Sequence, residues 1–115
     1  MIYKVCPPHF WQEAQQSGVF RGMPVADQDG FIHFSTAEQL RETLRRHFAG
    51  AEELVVLSVD EAKLSSDLRW EASRGGDLFP HLYAPLPTSA VTAVHSISTA
   101  DADSDPLGAH PEFAN

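Results

Sequence analysis

Apolar positions change their period several times along this chain, and each change marks an element. Ile2-Tyr3-Lys4-Val5-Cys6 has the composition of a strand, ended by Pro7-Pro8. Phe10 to Ser17 reads as a short helix with Phe10, Trp11 and Ala14 inward, stopped at Gly18. Gly22 to Gly30 is a loop. Gly30-Phe31-Ile32-His33-Phe34-Ser35 then alternates as a strand does, with Phe31, His33 and Ser35 on one side and Ile32 and Phe34 on the other. Ser35-Thr36-Ala37-Glu38 fits a capping box. The helix it opens runs from about Thr36 to Phe48, with Ala37, Leu40, Leu44 and Phe48 on one stripe. Leu54 to Val59 is a nearly unbroken apolar run, which predicts a central strand covered on both faces. Leu68–Ala72 and Leu78–Tyr83 predict two further strands around a turn at Ser73–Asp77. Pro80 puts the second of these at an edge or a bulge. Pro85-Leu86-Pro87 is a rigid turn, and Ala90–Ile97 is the last strand. The order β-α-β-α-β-β-β-β is an α+β pattern with two short helices, not an alternating parallel one.

Length and charge narrow this picture. A chain of 115 residues suits one domain. We place that domain over residues 1–97 and read 98–115, which is small, acidic and Pro/Gly-containing, as a loosely ordered tail. The formal net charge is −8, and every Lys and Arg lies at or before Arg74. That balance disfavours binding to a long nucleic acid. The cluster Arg41, Arg45, Arg46 and His47 suits the C-terminal end of a helix dipole. No run approaches the ~20 apolar residues of a membrane span, and the N-terminus has no signal-peptide pattern. The expectation is a cytoplasmic protein with no membrane partner. Cys6, the single cysteine, has no disulfide mate in the chain and reads as a small apolar group.

Each predicted strand carries polar side chains in an apolar setting: Lys4, His33 with Ser35, Arg69 with Glu71, and His81 with Tyr83. Polar groups on core-facing strands are paired or line a cleft. Converging, they make a set of cation, imidazole, hydroxyl, carboxylate and phenol that can grip a phosphate or a ribose. Plainer roles stand beside that reading. Ser35 can cap the helix, and His33 can be a core histidine bonded to a carbonyl. Glu71 can pair with Arg69, Lys4 can sit at an exposed edge, and His81 and Tyr83 can make structural hydrogen bonds. Trp70 reads as core. The histidines are too dispersed for a known metal-ligand spacing, so no metal is expected.

Four motifs stand in order: Ile2-Tyr3-Lys4, Gly30-Phe31-Ile32-His33-Phe34-Ser35, Arg69-Trp70-Glu71 and Phe79-Pro80-His81-Leu82-Tyr83-Ala84-Pro85-Leu86. Through them the chain, over roughly residues 2–97, closely resembles the bacterial family catalogued as domain of unknown function 952. The resemblance implies an ADP-ribosylation-like fold, a split mixed or antiparallel sheet that binds NAD in a cleft between two half-sheets. The order of elements is also similar to that of the tRNA 2′-phosphotransferases of that superfamily. It implies Lys4 on a diphosphate and His33 and Ser35 on a ribose, with Glu71 at an oxocarbenium-like centre or orienting the nucleophile. His33 and Glu71 are then the catalytic pair, and Lys4, Ser35, Arg69, His81 and Tyr83 bind the ligand. Three features depart from the superfamily. The acidic surface lacks the arginines that its phosphotransferases use on a 2′-phosphate. Lys4 stands where it uses His or Arg, and lysine is a point charge that copies neither. The Glu-x-Glu pair of many transferases is absent. The expectation is a small nucleotide-like ligand, with NAD binding and ADP-ribosyl or 2′-phospho transfer as its chemistry. The alternative is a non-catalytic ligand- or protein-binding module that kept the fold.

Overall fold

The computed structural model describes residues 1–23, 29–64, 66–73, 76–101, 103–108 and 113, and of Ser73 only the backbone. The elements are β1 (Ile2–Cys6), α1 (Pro8–Ser17), β2 (Val19–Phe20), β3 (Ile32–His33), α2 (Ala37–His47), β4 (Leu54–Val59), β5 (Leu68–Ser73), β6 (Asp77–Leu82), β7 (Leu86–Pro87) and β8 (Val91–Ile97). The fold is α+β, and the strand pairs are antiparallel. α1 starts two residues before its expected position, because a proline at the first helical turn forfeits no hydrogen bond. It ends at Gly18, whose φ of 86° is left-handed and whose N–H reaches the Ala14 carbonyl. Pro85-Leu86-Pro87 is more than a turn: Leu86 and Pro87 pair with Phe20 and Val19.

Two three-stranded sheets organise the molecule, with orders β1-β4-β8 and β3-β6-β5. β4 is buried at all six positions, as its apolar run predicts. On one face Val55, Leu57 and Val59 pack with Ile2, Cys6, Ala14 and Phe20. On the other, Leu54 and Val56 pack with Tyr3, Val5 and the Leu40 and Leu44 stripe of α2.

The second of these cores corrects the reading of the tail. Leu107 and Phe113 are both buried in it, and the Phe113 ring meets Tyr3 edge-on with centroids 5.2 Å apart. Arg41 holds Asp105 through two nitrogens and donates to the Phe113 carbonyl. At these anchors the segment is docked rather than loose. The dispersed, acidic composition hid it, because two side chains are enough to dock a segment and make no periodic pattern.

Three local expectations also change. The capping box belongs to Thr36 and Gln39, one residue later than expected. Ser35 is held as a backbone partner of Tyr3, so Thr36 is the first residue free to cap. Pro80 lies in β6, the middle strand of its sheet. Its carbonyl accepts from Phe34 N–H at 3.0 Å, so its donor-free nitrogen faces the place where the two-residue β3 ladder has already ended. Trp70 is 42 % exposed rather than core. The β5–β6 hairpin runs past the packed rows at Leu68 and Leu82, and Trp70 and Leu78 lie on that overhang.

Candidate functional site

The two sheets meet at one place. Tyr3 N–H donates to the Ser35 carbonyl at 2.8 Å and Ser35 N–H to the Tyr3 carbonyl at 2.9 Å, an isolated bridge between the edge of one sheet and the end of the other. From there β1 pairs with β4, and β3 pairs with β6. At that seam a cleft of about 510 Å³ opens, with Lys4, His33, Ser35 and His81 in its wall. Asp29 and the α2 residues Thr43 and His47 complete its polar lining.

Lys4 lies on an edge strand, as considered from sequence, but it is buried rather than exposed, with 5 % of its surface accessible. Its ammonium has no hydrogen-bond or ion-pair partner among the described residues. Burial pushes it down to about 8, against a smaller upward pull from Cys6. The Cys6 thiol is itself pushed up to about 11 by burial, so it is inert at neutral pH.

His33 and His81 are direct register partners across β3 and β6, so they share a sheet face. Their ring centroids are 5.2 Å apart. Phe31 fixes both, 4.6 Å from His33 and stacked 4.2 Å from His81. Each imidazole is held by a carboxylate. His33 Nε2 donates to Asp29 Oδ2 at 2.7 Å, and His81 Nδ1 donates to Glu71 Oε1 at 2.9 Å. His33 Nδ1 and His81 Nε2 make no hydrogen bond among the described residues. Burial lowers the His33 pKa, opposed by the hydrogen bond to Asp29, and the Lys4 and His81 charges add to the lowering. Ser35, freed from capping, shares a 2.8 Å hydrogen bond with the Thr43 hydroxyl.

The remaining predicted residues, Glu71, Arg69 and Tyr83, do not line this cleft. Glu71 shares the sheet face of His81, but it reaches the cleft only through that ring. The same Oε1 accepts from the Tyr83 hydroxyl at 2.6 Å, and the Tyr83 and His81 hydrogen bonds keep the Glu71 carboxyl below its usual range. Arg69 sits over the Tyr83 ring, 5.1 Å from its centroid, as a cation–π contact. Glu71 and Tyr83, with Arg69 over the Tyr83 ring, form a chain of contacts that ends on His81. Sequence reading missed Asp29, Thr43 and His47. Asp29 precedes His33 by four residues, across the turn at Gly30, where no periodicity flags it. Thr43 and His47 lie four apart on α2, a spacing that marks a shared face. Among the described residues there is no group of three or more His, Cys, Asp or Glu placed to hold a metal, and no helix is long and apolar enough to cross a membrane.

A family described as "Protein of unknown function (DUF952)" matches residues 5–94. The chain is similar to the crystal structure of protein CC0527 from Caulobacter crescentus, at 47% identity over 95% of this chain and 96% of that one, with a TM-score of 0.87. It is equally similar in sequence to the solution NMR structure of CC0527 from the same organism, with 47% identity, 95% and 94% coverage and a TM-score of 0.81. No curated protein matches the chain.

Proposed function

The chain belongs to this family of unknown function, DUF952, and from its cleft we propose that the protein binds a phosphorylated ribose of nucleotide type, with NAD as the cofactor-sized candidate. One observation carries the reading: a buried ammonium at Lys4, without a partner among the described residues, beside two imidazoles that each keep a free nitrogen. Burying an unpaired ammonium costs several kcal/mol, and a bound anion offsets that cost. The hydroxyls of Ser35 and Thr43 suit a sugar. The arrangement of two sheets joined at one bridge, with the cleft at the seam, supports an ADP-ribosylation-like fold, in which NAD lies between half-sheets.

Glu71 acts here through His81, so the geometry gives no support to a carboxylate at an oxocarbenium-like centre. Calorimetric titration with NAD, ADP-ribose and ribose 5-phosphate tests the reading. Binding that weakens at least ~10-fold in Lys4→Met and falls with added salt is expected. Absence of heat with all three ligands at millimolar concentration overturns it.

A further inference from the structure

We propose that His33 and His81 are a general acid–base pair for phosphoryl chemistry at the ribose, hydrolysing a ribonucleoside 2′,3′-cyclic phosphate to the monophosphate. The proposal rests on the nucleotide reading of the cleft and adds a reaction to it. Acid–base displacement at phosphorus needs two proton carriers, one for the attacking oxygen and one for the leaving oxygen, each within ~3 Å of its partner. Two imidazoles 5.2 Å apart by centroid, locked by Phe31 and each with one nitrogen unbonded among the described residues, can serve two oxygens on the same phosphorus.

The roles follow from their surroundings. Asp29, Lys4 and His81 act on His33, and His47 of α2 lines the same cleft. Burial and Lys4 keep His33 in its neutral form at lower pH than usual, so it is the base. Glu71 bonds His81, and Arg69 and Tyr83 act on Glu71 in turn. Glu71 Oε1 accepts from His81 Nδ1 at 2.9 Å, which fixes the ring with Nε2 as its open position and assigns His81 the acid role.

In the forward step His33 Nδ1 takes a proton from water and the water oxygen bonds to phosphorus. The bond from phosphorus to ribose O2′ or O3′ breaks, and that oxygen takes a proton from His81 Nε2. Solvent exchange then returns His33 to its neutral form and His81 to its protonated form. The Lys4 charge, which already acts on His33, offsets the negative charge that builds on the phosphoryl oxygens. Glu71 is a positioning residue.

The test is 31P NMR of the full chain with 2′,3′-cyclic AMP, GMP, CMP and UMP in EDTA. The cyclic phosphate signal should give way to a monophosphate, with a bell-shaped dependence of kcat on pH. His33→Gln and His81→Gln should each lose at least ~100-fold in kcat, and His33→Gln should also lose the acidic limb. Glu71→Gln should lower kcat more than it changes KM, while the exposed His9→Gln should change neither. Melting curves confirm that each variant is folded. Cyclic nucleotides that bind by calorimetry but do not turn over would overturn the acid–base pair and leave the nucleotide cleft standing. Neither binding nor turnover overturns the acid–base pair, and the nucleotide reading then stands or falls on the titration with NAD, ADP-ribose and ribose 5-phosphate. Turnover unaffected by either cleft histidine assigns the activity to a contaminating nuclease and overturns the proposal.

Discussion

The β1-β4-β8 sheet and the β3-β6-β5 sheet pair alike, antiparallel around one middle strand, yet their middle strands are spent differently. β4 is covered on both faces and carries no ionisable side chain. β6 starts exposed, ends buried, and puts His81 and Phe79 on the face that meets the cleft. A strand buried on both sides has nowhere to hold a solvated polar group without a large desolvation cost. The buried end of β6 differs in that one of its faces borders the cleft, so the polar group on that face meets the opening rather than a second apolar layer. Lys4 is the exception, because it lies on the edge of the apolar sheet, at the seam where the two sheets part. The apolar sheet accounts for stability and the other for the site, and the seam is where they are coupled.

The sharpest way to break this division is to remove the tail. Ending the chain at Ile97 uncovers Tyr3, Val5, Leu40 and Leu44 by deleting Leu107 and Phe113. Losing one buried Phe alone costs roughly 3–5 kcal/mol, so a denaturant melt should show most of the stability gone. A shortened chain that melts as the full one does would show that the tail contributes nothing. Leu57→Ala, in the fully covered strand, should cost roughly 2–5 kcal/mol and leave the affinity of the folded fraction unchanged.

Lys4→Met should act in the opposite direction. The lysine's pKa falls from 10.5 to about 8 on folding, so between those values the unfolded chain binds more protons than the folded one. Stability therefore rises as pH climbs from about 8 to about 10.5, and the burial cost is fully present below 8. Replacing the ammonium with methionine should stabilise the protein at pH 7 by about 1–3 kcal/mol and flatten that rise, while weakening ligand binding. The smallest effect belongs to His33→Ala. A side chain that is 40 % exposed leaves no closed cavity, so the melt should shift by less than ~1 kcal/mol. A larger loss would make His33 a structural residue.

What the sequence disclosed follows the same division. The covered strand from Leu54 to Val59 and the stripe of Leu40 and Leu44 are legible because burial on this scale imposes a pattern on every position. His33, Ser35, His81 and Lys4 are legible as breaks in such patterns. The rest depended on tertiary contacts that leave no local trace. Ser35-x-x-Glu38 and Thr36-x-x-Gln39 are equally good capping boxes on paper, and only the bridge to Tyr3 decides between them. Glu71 reads as a cleft carboxylate, and only the fold shows it bonded to the His81 ring and outside the cleft lining. Asp29 is invisible because its partner His33 lies across the turn at Gly30 and not along a helix.

The central claim is that a phosphorylated ribose sits at the seam, against His33 and His81. It is tested most directly by following the imidazole resonances of the histidines by NMR as ADP-ribose is added. The account predicts saturable shifts at His33, His81 and His47, with His9 on α1 unmoved. Shifts confined to His9, or none at His33 and His81 at millimolar ligand, would contradict it.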